Sequence, residues 1–333
     1  MDIKAARSQY NLQQEVEKIL GEPQEMGKTW LWSCPFHSDG NPSFRVYKDG
    51  YHCFGCGAHG DIFDWLAWAT KTSLKDILHN HQVDPQAEAE RKADYAQRAA
   101  DELEAQILRA QEVLSEIRAE QKWQTYHANL DQLDGRPRTM WETRGVPLWY
   151  QDWLELGYDP NHKFWAGKEE FYSATLTFPI YQPATRDVLN IRHRLLGEAA
   201  DRFGKYRPER AGLPASPFVA SPDLPIKNTV IVVEGEIKAM VVWVTLGDPN
   251  IQVIGLPGSG NFHAPKEELI KQLSDCERIF LIPDPEVDSA PLAKKLDKRA
   301  RLITLREKVD DYILRLNLDK SWLRSCMQYA RAM

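Results

Sequence analysis

Two short pairs of cysteine and histidine residues constrain this chain more than any other feature of its sequence. Two residues separate Cys34 from His37, two separate Cys53 from Cys56, and fifteen lie between the pairs. Thiolates and imidazole suit Zn²⁺, and a gap of two residues lets a tight turn direct both side chains at one ion. Because four protein ligands leave no position for water, the pattern predicts a structural zinc site in a small module near the amino end.

The remaining cysteines and the neighbouring histidines have other expected roles. His52 and His59 flank the second pair, so an exchange of ligands is conceivable. We assign His37 because it completes the two-residue spacing, and we expect the other two histidines to orient ligands or to face solvent. Cys276 and Cys326 have no partner at ligand spacing and are expected to pack as small apolar side chains.

Length and charge limit the class of protein. The chain has 333 residues, which is more than a single domain of about 100 to 200 residues needs. No apolar run approaches the roughly 18 residues of a membrane span, and the charged start lacks the apolar stretch of a signal peptide. A cytoplasmic protein is therefore expected, with no membrane partner. The formal net charge of −6 means that any contact with nucleic acid must be a local basic patch.

The first two segments of the chain differ sharply in composition. Residues 1–84 form the expected zinc-binding domain, with an apolar helix after Gly60-Asp61 and a second helix capped by Ser73 and Asp76. Residues 85–140 are dense in Ala, Glu, Gln and Arg, with apolar residues at helical intervals. This predicts a solvated helical linker without chemistry, which serves as a spacer or as part of a helical hairpin.

Two further domains are expected after the linker. Short strands and turns in residues 141–226 predict a mixed α/β domain, whereas residues 227–333 alternate apolar runs with helix-length segments. That alternation predicts a mainly parallel sheet covered by helices. The expected strands cover residues 174–181, 188–194, 230–233, 251–256, 278–282 and 300–305. The predicted fold class is thus α+β and multidomain.

Acidic residues follow two of the expected parallel strands. Glu234-Gly235 ends the strand at 230–233, and Asp284-Pro-Glu286 follows the strand at 278–282, with Asp288 just beyond. Ligands of open α/β sheets bind at the carboxyl ends of the strands, and carboxylates there suit Mg²⁺. If the two strands are neighbours, Glu234 and Asp284 point into one crevice. Helix caps and solvated loops are the alternative explanation for acids at strand ends.

The zinc segment resembles a known family. The runs Cys34-Pro-Phe-His37, Asn41-Pro-Ser-Phe44, Tyr51-His-Cys-Phe-Gly-Cys56 and Gly60-Asp61 are similar to the zinc domain of bacterial and phage DnaG-type primases. The resemblance implies template recognition, in which aromatic faces stack on the bases of single-stranded DNA and cations hold its phosphates. Residues in the matching region that would do so are Phe44, Arg45, Tyr47, Lys48 and Phe54. A packing role is the alternative for each of them.

The carboxyl-terminal segment is similar to a Toprim domain, which occurs in primases, topoisomerases and some nucleases. The likeness rests on a strand ending in Glu-Gly, a strand leading to Pro257-Gly-Ser-Gly260, and a strand ending in clustered acids. It implies acid/base chemistry or metal binding by Glu234, with Mg²⁺ or Mn²⁺ held by Asp284 and Glu286 and with Asp288 within reach. The sequence departs from the family where Glu286 replaces the usual aspartate and the following glycine is absent. Asp310 or Asp311 is a further candidate ligand.

Basic residues complete the resemblance to a primase core. Arg192-His-Arg194 and Lys205-Tyr206 occur in the order found in the amino-terminal part of such cores, where cations guide the template and hold the incoming nucleotide. Lys238 is a further candidate for a phosphate contact, and a surface charge without function is the alternative reading for all four cations.

The function implied is a DNA primase that makes short RNA primers on a single-stranded DNA template from nucleoside triphosphates, in replication of a phage or mobile element. Gly27-Lys28-Thr29 lacks the earlier glycine of a P-loop, so no ATPase motor is expected and a replicative helicase would act in trans. A Toprim nuclease and a non-catalytic primase-like binding protein are the two alternatives.

Overall fold

The computed structural model of the chain describes residues 10–26, 29–37, 39, 42–80, 85–166, 169–210, 213, 216–258, 260–263, 265 and 267–332. Asn41, Ser259 and the Gly27-Lys28 pair of the sequence motifs lie outside these residues. The chain divides into two compact units, residues 1–105 and 106–333. Within the described ranges, no helix combines the length and the apolar character needed to cross a membrane.

The amino-terminal unit has one antiparallel sheet, whose described strands follow the order β1-β2-β3-β4-β5. Its strands are β1 Gln24–Met26, β2 Thr29–Trp32, β3 Phe44–Val46, β4 Tyr51–Cys53 and β5 His59–Gly60. Its helices are α1 Leu12–Leu20, α2 Ile62–Thr70 and α3 Leu74–Asn80.

Helices α2 and α3 begin where the sequence predicts. The Asp61 carboxylate accepts hydrogen bonds from the N–H groups of Phe63 and Asp64, and the Asp64 carboxylate accepts one from the N–H of Asp61. This is a capping box. At α3, the Asp76 N–H donates to Ser73 Oγ at 3.1 Å. Each cap satisfies backbone donors that the first turn of a helix leaves unpaired.

Helix α4, Pro85–Glu120, crosses the boundary between the units. Leu103, Ile107 and Leu108 are exposed, whereas Ile117 near its end is fully buried. The apolar residues of the linker therefore have two roles: among the side chains of α4 that the structure describes, those of its last turns join the core of the carboxyl-terminal unit, and the earlier ones named here are exposed.

The carboxyl-terminal unit contains two sheets. The first is antiparallel, in the order β6-β7-β8-β9, and the second has the described order β10-β12-β11-β13-β14-β15. The strands are β6 Gly157–Ala166, β7 Glu169–Tyr181, β8 Val188–Leu195, β9 Tyr206–Pro208, β10 Phe218–Val219, β11 Thr229–Glu234, β12 Ile251–Leu256, β13 Arg278–Ile282, β14 Ala300–Leu302 and β15 Arg331–Ala332. The helices are α5 Lys122–Ala128, α6 Arg136–Glu142, α7 Leu148–Trp153, α8 Glu198–Phe203, α9 Glu236–Leu246, α10 Gly260–His263, α11 Glu267–Gln272, α12 Ala290–Leu296, α13 Val309–Leu316 and α14 Lys320–Gln328, with 3₁₀ turns at Asn129–Asp131, Leu133–Gly135 and Asp297–Arg299.

The second sheet is mainly parallel, as predicted. Strands β12, β11, β13 and β14 run parallel, and β10 and β15 pair antiparallel at its two edges. Every residue from 230 to 233 is buried because helices cover both faces of β11, which explains the continuous apolar run. One hydrophobic core joins the two sheets of this unit, including Phe178 of β7, Ile231 of β11 and Val241 of α9. The multidomain α+β class is confirmed.

Candidate metal centres and their cleft

The four predicted zinc ligands converge at one point of the amino-terminal unit. Cys34 Sγ lies 3.8 Å from Cys56 Sγ, and Cys53 Sγ lies 3.9 Å from His37 Nδ1. All four ligand atoms lie within 4.8 Å of one another. A tetrahedral ion with Zn–S bonds of about 2.3 Å requires sulfur atoms about 3.8 Å apart. The residues therefore fit a structural Zn²⁺ ion, and the fit supports zinc as the cofactor of this module.

Asp39 and Gly55 support the zinc ligands, although sequence reasoning did not single them out. Asp39 Oδ2 accepts hydrogen bonds from the Cys34 N–H at 2.7 Å and from Ser43 Oγ at 2.8 Å, and Asp39 Oδ1 lies 3.8 Å from His37 Nε2. A carboxylate behind a ligating histidine fixes the orientation of the ring. A Cβ atom at Gly55 would lie 2.8 Å from His37 Nε2, so this position needs glycine. For Asp39, the signal available in the sequence was an acidic residue two positions after the zinc ligand His37.

His52 and His59 lie outside the group of zinc ligands, in agreement with the sequence analysis. The His52 ring contacts the Phe54 ring edge-on at 4.6 Å, and His59 Nδ1 donates to the carbonyl of Gly57 at 2.9 Å. Cys276 is buried, as expected of a packing residue, and Cys326 is partly buried.

The structure separates the candidate template contacts of this unit into two groups. Phe44 is fully buried and packs against Tyr51 and Trp65, which corrects the expectation that it contacts DNA. Strand alternation is the reason, because β3 directs residues 44 and 46 inward and residue 45 outward. Phe54 is 51% exposed, and the Arg45 guanidinium lies 5.3 Å from its ring centroid. Tyr47 is partly buried and Lys48 is exposed.

In the carboxyl-terminal unit, Glu234 and Asp284 lie at the same edge of the parallel sheet. Strands β11 and β13 are neighbours, and Val233 pairs with Ile282, one residue before Glu234 and two residues before Asp284. Both carboxylates line a cleft of about 410 Å³. The residues that line it are Arg144, Arg192, Arg194, Lys205, Tyr206, Glu234, Gly235, Glu236, Ile237, Lys238, Pro257, Gly258, Asp284, Lys308, Asp310 and Asp311. Acidic and basic candidates from distant parts of the sequence thus meet in one place.

Buried carboxyl oxygens in this cleft are suited to a divalent cation. Burial, and secondly the charge of Asp284, raise the pKa of Glu234, although Lys238 and Lys308 oppose the shift. Burial likewise raises the pKa of Asp310. Within the described part of the chain, Glu234 Oε2 and Asp310 Oδ1 are buried without a hydrogen-bond partner. Hard oxygen ligands of this kind fit Mg²⁺ or Mn²⁺.

Glu286 and Asp288 lie at the margin of the acidic site. Both are exposed, and neither is among the described residues that line the cleft. The charge of Glu286 still acts on Glu234, whereas Asp288 Oδ1 accepts a hydrogen bond from the N–H of Ala290 at the start of α12. A role for either residue as a metal ligand stays a prediction.

Cations also line the cleft, next to its acidic residues. Arg192 Nη1 lies 3.3 Å from Glu236 Oε1, and Arg194 Nη1 donates to the Tyr206 hydroxyl at 2.9 Å. Burial, and secondly the charge of Arg194, lower the pKa of Arg144, although the charges of Tyr206, Asp310 and Asp311 oppose the shift. Cations in such a cleft can bind the phosphate groups of a polyanion.

Glu236 and Lys308 are the residues of the cleft whose contacts sequence reasoning missed. Glu236 is 1% exposed and pairs with Arg192, and Lys308 Nζ lies 3.8 Å from Asp284 Oδ2. The signal for Glu236 was an acid in the first turn of a mainly apolar helix.

Asp159, His162 and His193 form a further group whose ligand atoms lie within 4.8 Å of one another. The His162 and His193 rings are stacked, however, with centroids 3.6 Å apart. Both nitrogens of His193 have partners: Nε2 donates to Glu209 at 2.7 Å, and Nδ1 accepts from Thr175 Oγ1 at 2.9 Å. A metal ion must lie in the plane of each imidazole, so we interpret this group as a buried hydrogen-bond network.

The fold and the two candidate sites define a class of protein that has a zinc-ribbon module and a core in which acidic and basic residues line one cleft. Residues 2–96 match the family described as the DnaG zinc ribbon, a CHC2 zinc finger. The DNA primase of Escherichia coli strain K12 is 51% identical over 68 residues, which are 18% of this chain and 12% of that protein. The match therefore spans only a small part of its relative.

Solved structures extend the likeness to the core. The DnaG catalytic core superposes with a TM-score of 0.51 at 15% identity, over 66% of this chain and 80% of that chain. The DnaG primase catalytic domain bound to single-stranded DNA gives 0.50 at 14% identity, over 68% of this chain and 83% of that one. At this identity the likeness shows the fold. The chain thus resembles the DnaG-type primases in the sequence of its zinc module and in the fold of its core.

Proposed function

We propose that the chain is a DNA primase, which synthesises short RNA primers on single-stranded DNA by metal-dependent nucleotidyl transfer. The observation that carries the proposal is that Glu234, Asp284 and Asp310 line the same cleft as Arg192 and Arg194. A cleft lined by carboxylates alone would bind cations, and a cleft lined by cationic side chains alone would bind anions. Nucleotidyl transfer needs both, because a metal-bound triphosphate must approach a nucleic-acid strand.

The side chains of the cleft have separate proposed roles. Glu234, Asp284 and Asp310 would hold Mg²⁺ or Mn²⁺, which when bound offsets the negative charge of the triphosphate. Arg192, Arg194 and Lys205 bind phosphate groups of the nucleotide or template. Acceptance of the proton of the attacking hydroxyl is the other role proposed for Glu234.

The template partner is proposed on two grounds. The core has the fold of a DnaG catalytic domain that was solved with single-stranded DNA. In the zinc module, Phe54 offers an exposed ring beside Arg45, an arrangement suited to stacking on a base and pairing with a phosphate. Nucleoside triphosphates are the proposed substrates, and a replicative helicase in trans is the expected partner during cytoplasmic DNA replication.

Primer synthesis on single-stranded DNA with labelled nucleoside triphosphates and Mg²⁺ tests the proposal. Wild type should give short products, whereas Glu234→Gln and Asp284→Asn should lower the rate by at least about 100-fold, as expected when charged groups at the reacting centre are lost. Asp275→Asn is the matched control, since this exposed aspartate lies outside the residues that line the cleft. It should retain the wild-type rate.

The other outcomes separate the alternatives. Cleavage of labelled single-stranded DNA without new products would identify a Toprim nuclease. DNA binding without synthesis or cleavage in any variant would identify a non-catalytic primase-like protein. Equal product yields from wild type, Glu234→Gln and Asp284→Asn would remove both carboxylates from the mechanism.

A further inference from the structure

The Lys238 ammonium binds one oxygen of the Asp284 carboxylate in the acidic site. Its Nζ donates a hydrogen bond to Asp284 Oδ2 at 2.9 Å, and the Lys238 and Asp284 side chains are 14% and 5% exposed. The Lys308 ammonium lies 3.8 Å from the same oxygen. An ammonium group therefore already sits at the position where a cation held by Asp284 Oδ2 would lie.

The charge of Lys238 also reaches the neighbouring carboxyls. Glu234, Glu236, Asp284 and Asp310 line the same cleft as Lys238. Lys238 therefore lies among four carboxyl groups, and each attracts its ammonium. This placement resembles that of a bound cation more than that of a surface lysine, whose ammonium normally extends into water.

A site for two divalent ions needs a bridging carboxylate. Paired ions in phosphoryl-transfer sites lie about 3.5 to 4 Å apart, and a bridging carboxylate gives one oxygen to each ion. Lys238 binds Asp284 Oδ2, which leaves Asp284 only its Oδ1 for a metal ion. The unpartnered Glu234 Oε2 and Asp310 Oδ1 belong to residues of the same cleft, and an ion that keeps several waters needs only one or two carboxylates.

We propose that Lys238 takes the place of a second divalent cation, so that the acidic site binds one metal ion and Lys238 supplies the other positive charge. An ammonium group has three donors, and one of them is used by Asp284. The other two are available for oxygens of a bound phosphate. The part concerning phosphate rests on the proposed function, whereas the part concerning the number of ions does not.

Binding of Mn²⁺ to the zinc-loaded full chain, measured by isothermal titration calorimetry without nucleotide or DNA, tests the number of ions. Wild type should bind one Mn²⁺ that is lost in Asp284→Asn. Lys238→Met removes the ammonium at similar side-chain length and should bind two. Lys238→Arg keeps the charge and should bind one. Lys271→Met is the matched control, because this exposed lysine does not line the cleft, and it should also bind one.

Several results would overturn the proposal: two cleft ions in wild type, none in wild type, or one ion of unchanged affinity in Lys238→Met. Circular dichroism identifies a variant that does not fold, and in that case Lys238→Arg decides, since a second ion bound despite the retained charge contradicts the proposal. The primer-synthesis assay tests the proposed function separately from the number of bound ions. If no variant makes products but the number of ions changes from one to two, the role of Lys238 stands and the primase proposal does not.

Discussion

Replacement of Gly255 by alanine should disturb the turn that holds Glu234. Gly255 lies in β12, where a Cβ atom would be 2.5 Å from the carbonyl oxygen of Gly235 and 3.0 Å from Cα of Glu236. Ordinary contacts begin at 3.4 Å, so the backbones must separate by about 0.9 Å, from 2.5 to 3.4 Å. The clash involves main-chain atoms, which cannot turn aside as the end of a long side chain can.

The cost has two parts. Forcing a methyl group into a packed region costs about 1 to 3 kcal/mol. A separation of this size also breaks the hydrogen bond from the Gly235 N–H to the Leu256 carbonyl, now 2.7 Å, at a cost of about 0.5 to 1.5 kcal/mol. The free energy of unfolding should therefore fall by about 1.5 to 4.5 kcal/mol. Primer synthesis should fall as well, because Glu234 immediately precedes the displaced Gly235.

Urea denaturation followed by circular dichroism measures this loss, and zinc release reports separately on the amino-terminal unit. With an m value of about 2 to 3 kcal/mol per M, the midpoint should fall by about 0.5 to 2 M. Gly260→Ala is the matched control, since a Cβ there meets no described atom within 4 Å and its backbone is not strained. If Gly255→Ala and Gly260→Ala agree within about 0.5 kcal/mol, the close approach does not restrict this position.

Two further predictions concern the zinc ligands and the buried histidines. Gly55→Ala should weaken zinc binding by about 5- to 150-fold, because a clash with the His37 ring costs about 1 to 3 kcal/mol; a colour-forming chelator measures zinc release, and a rate equal to that of wild type would contradict this. Burial lowers the pKa of His193 from 6.5. For Glu209, burial alone would raise the pKa, but hydrogen bonds from His193 and Lys122 outweigh burial and lower the pKa from 4.5 to about 2. The folded chain thus binds fewer protons than the unfolded chain in acid, so stability from His193 is present above pH 6.5 and is lost as pH falls through its folded pKa, while stability from Glu209 is present above pH 4.5 and is lost towards pH 2. Below pH 6.5, the free energy of unfolding measured with urea should change by up to about 1.4 kcal/mol per pH unit because of His193. This contribution should be lost in His193→Gln and kept in His263→Gln, and equal slopes in all three proteins would refute the argument.

Local chemistry explains why parts of the molecule follow directly from the sequence. The spacing of Cys34, His37, Cys53 and Cys56 is a property of neighbouring residues, and the caps at Asp61 and Ser73 act over three positions. Continuous apolar runs likewise indicated the parallel strands, because a strand covered on both faces has no polar side. These features need no knowledge of distant contacts.

Other positions depended on which way a strand faces. Phe44 and Phe54 both match the aromatic pattern, yet Phe44 packs in the core and Phe54 is exposed. A short strand with a period of two assigns alternate residues to opposite faces, and the sequence of three residues in β3 does not say which face is covered. Phe44 packs against Trp65 of α2, and this contact identifies the Phe44 side of β3 as the covered face.

The sequence by itself indicated the ligands of the zinc module, the parallel strands β11 to β14, and the residue types from which the acidic site is built. Only the tertiary structure decided which of those acids share the cleft, that Arg192 pairs with buried Glu236, and that Lys238 holds Asp284. The reason is that the ligand spacing acts within the reach of two turns, whereas Lys238 and Asp284 are 46 positions apart and meet because β11 and β13 are neighbours.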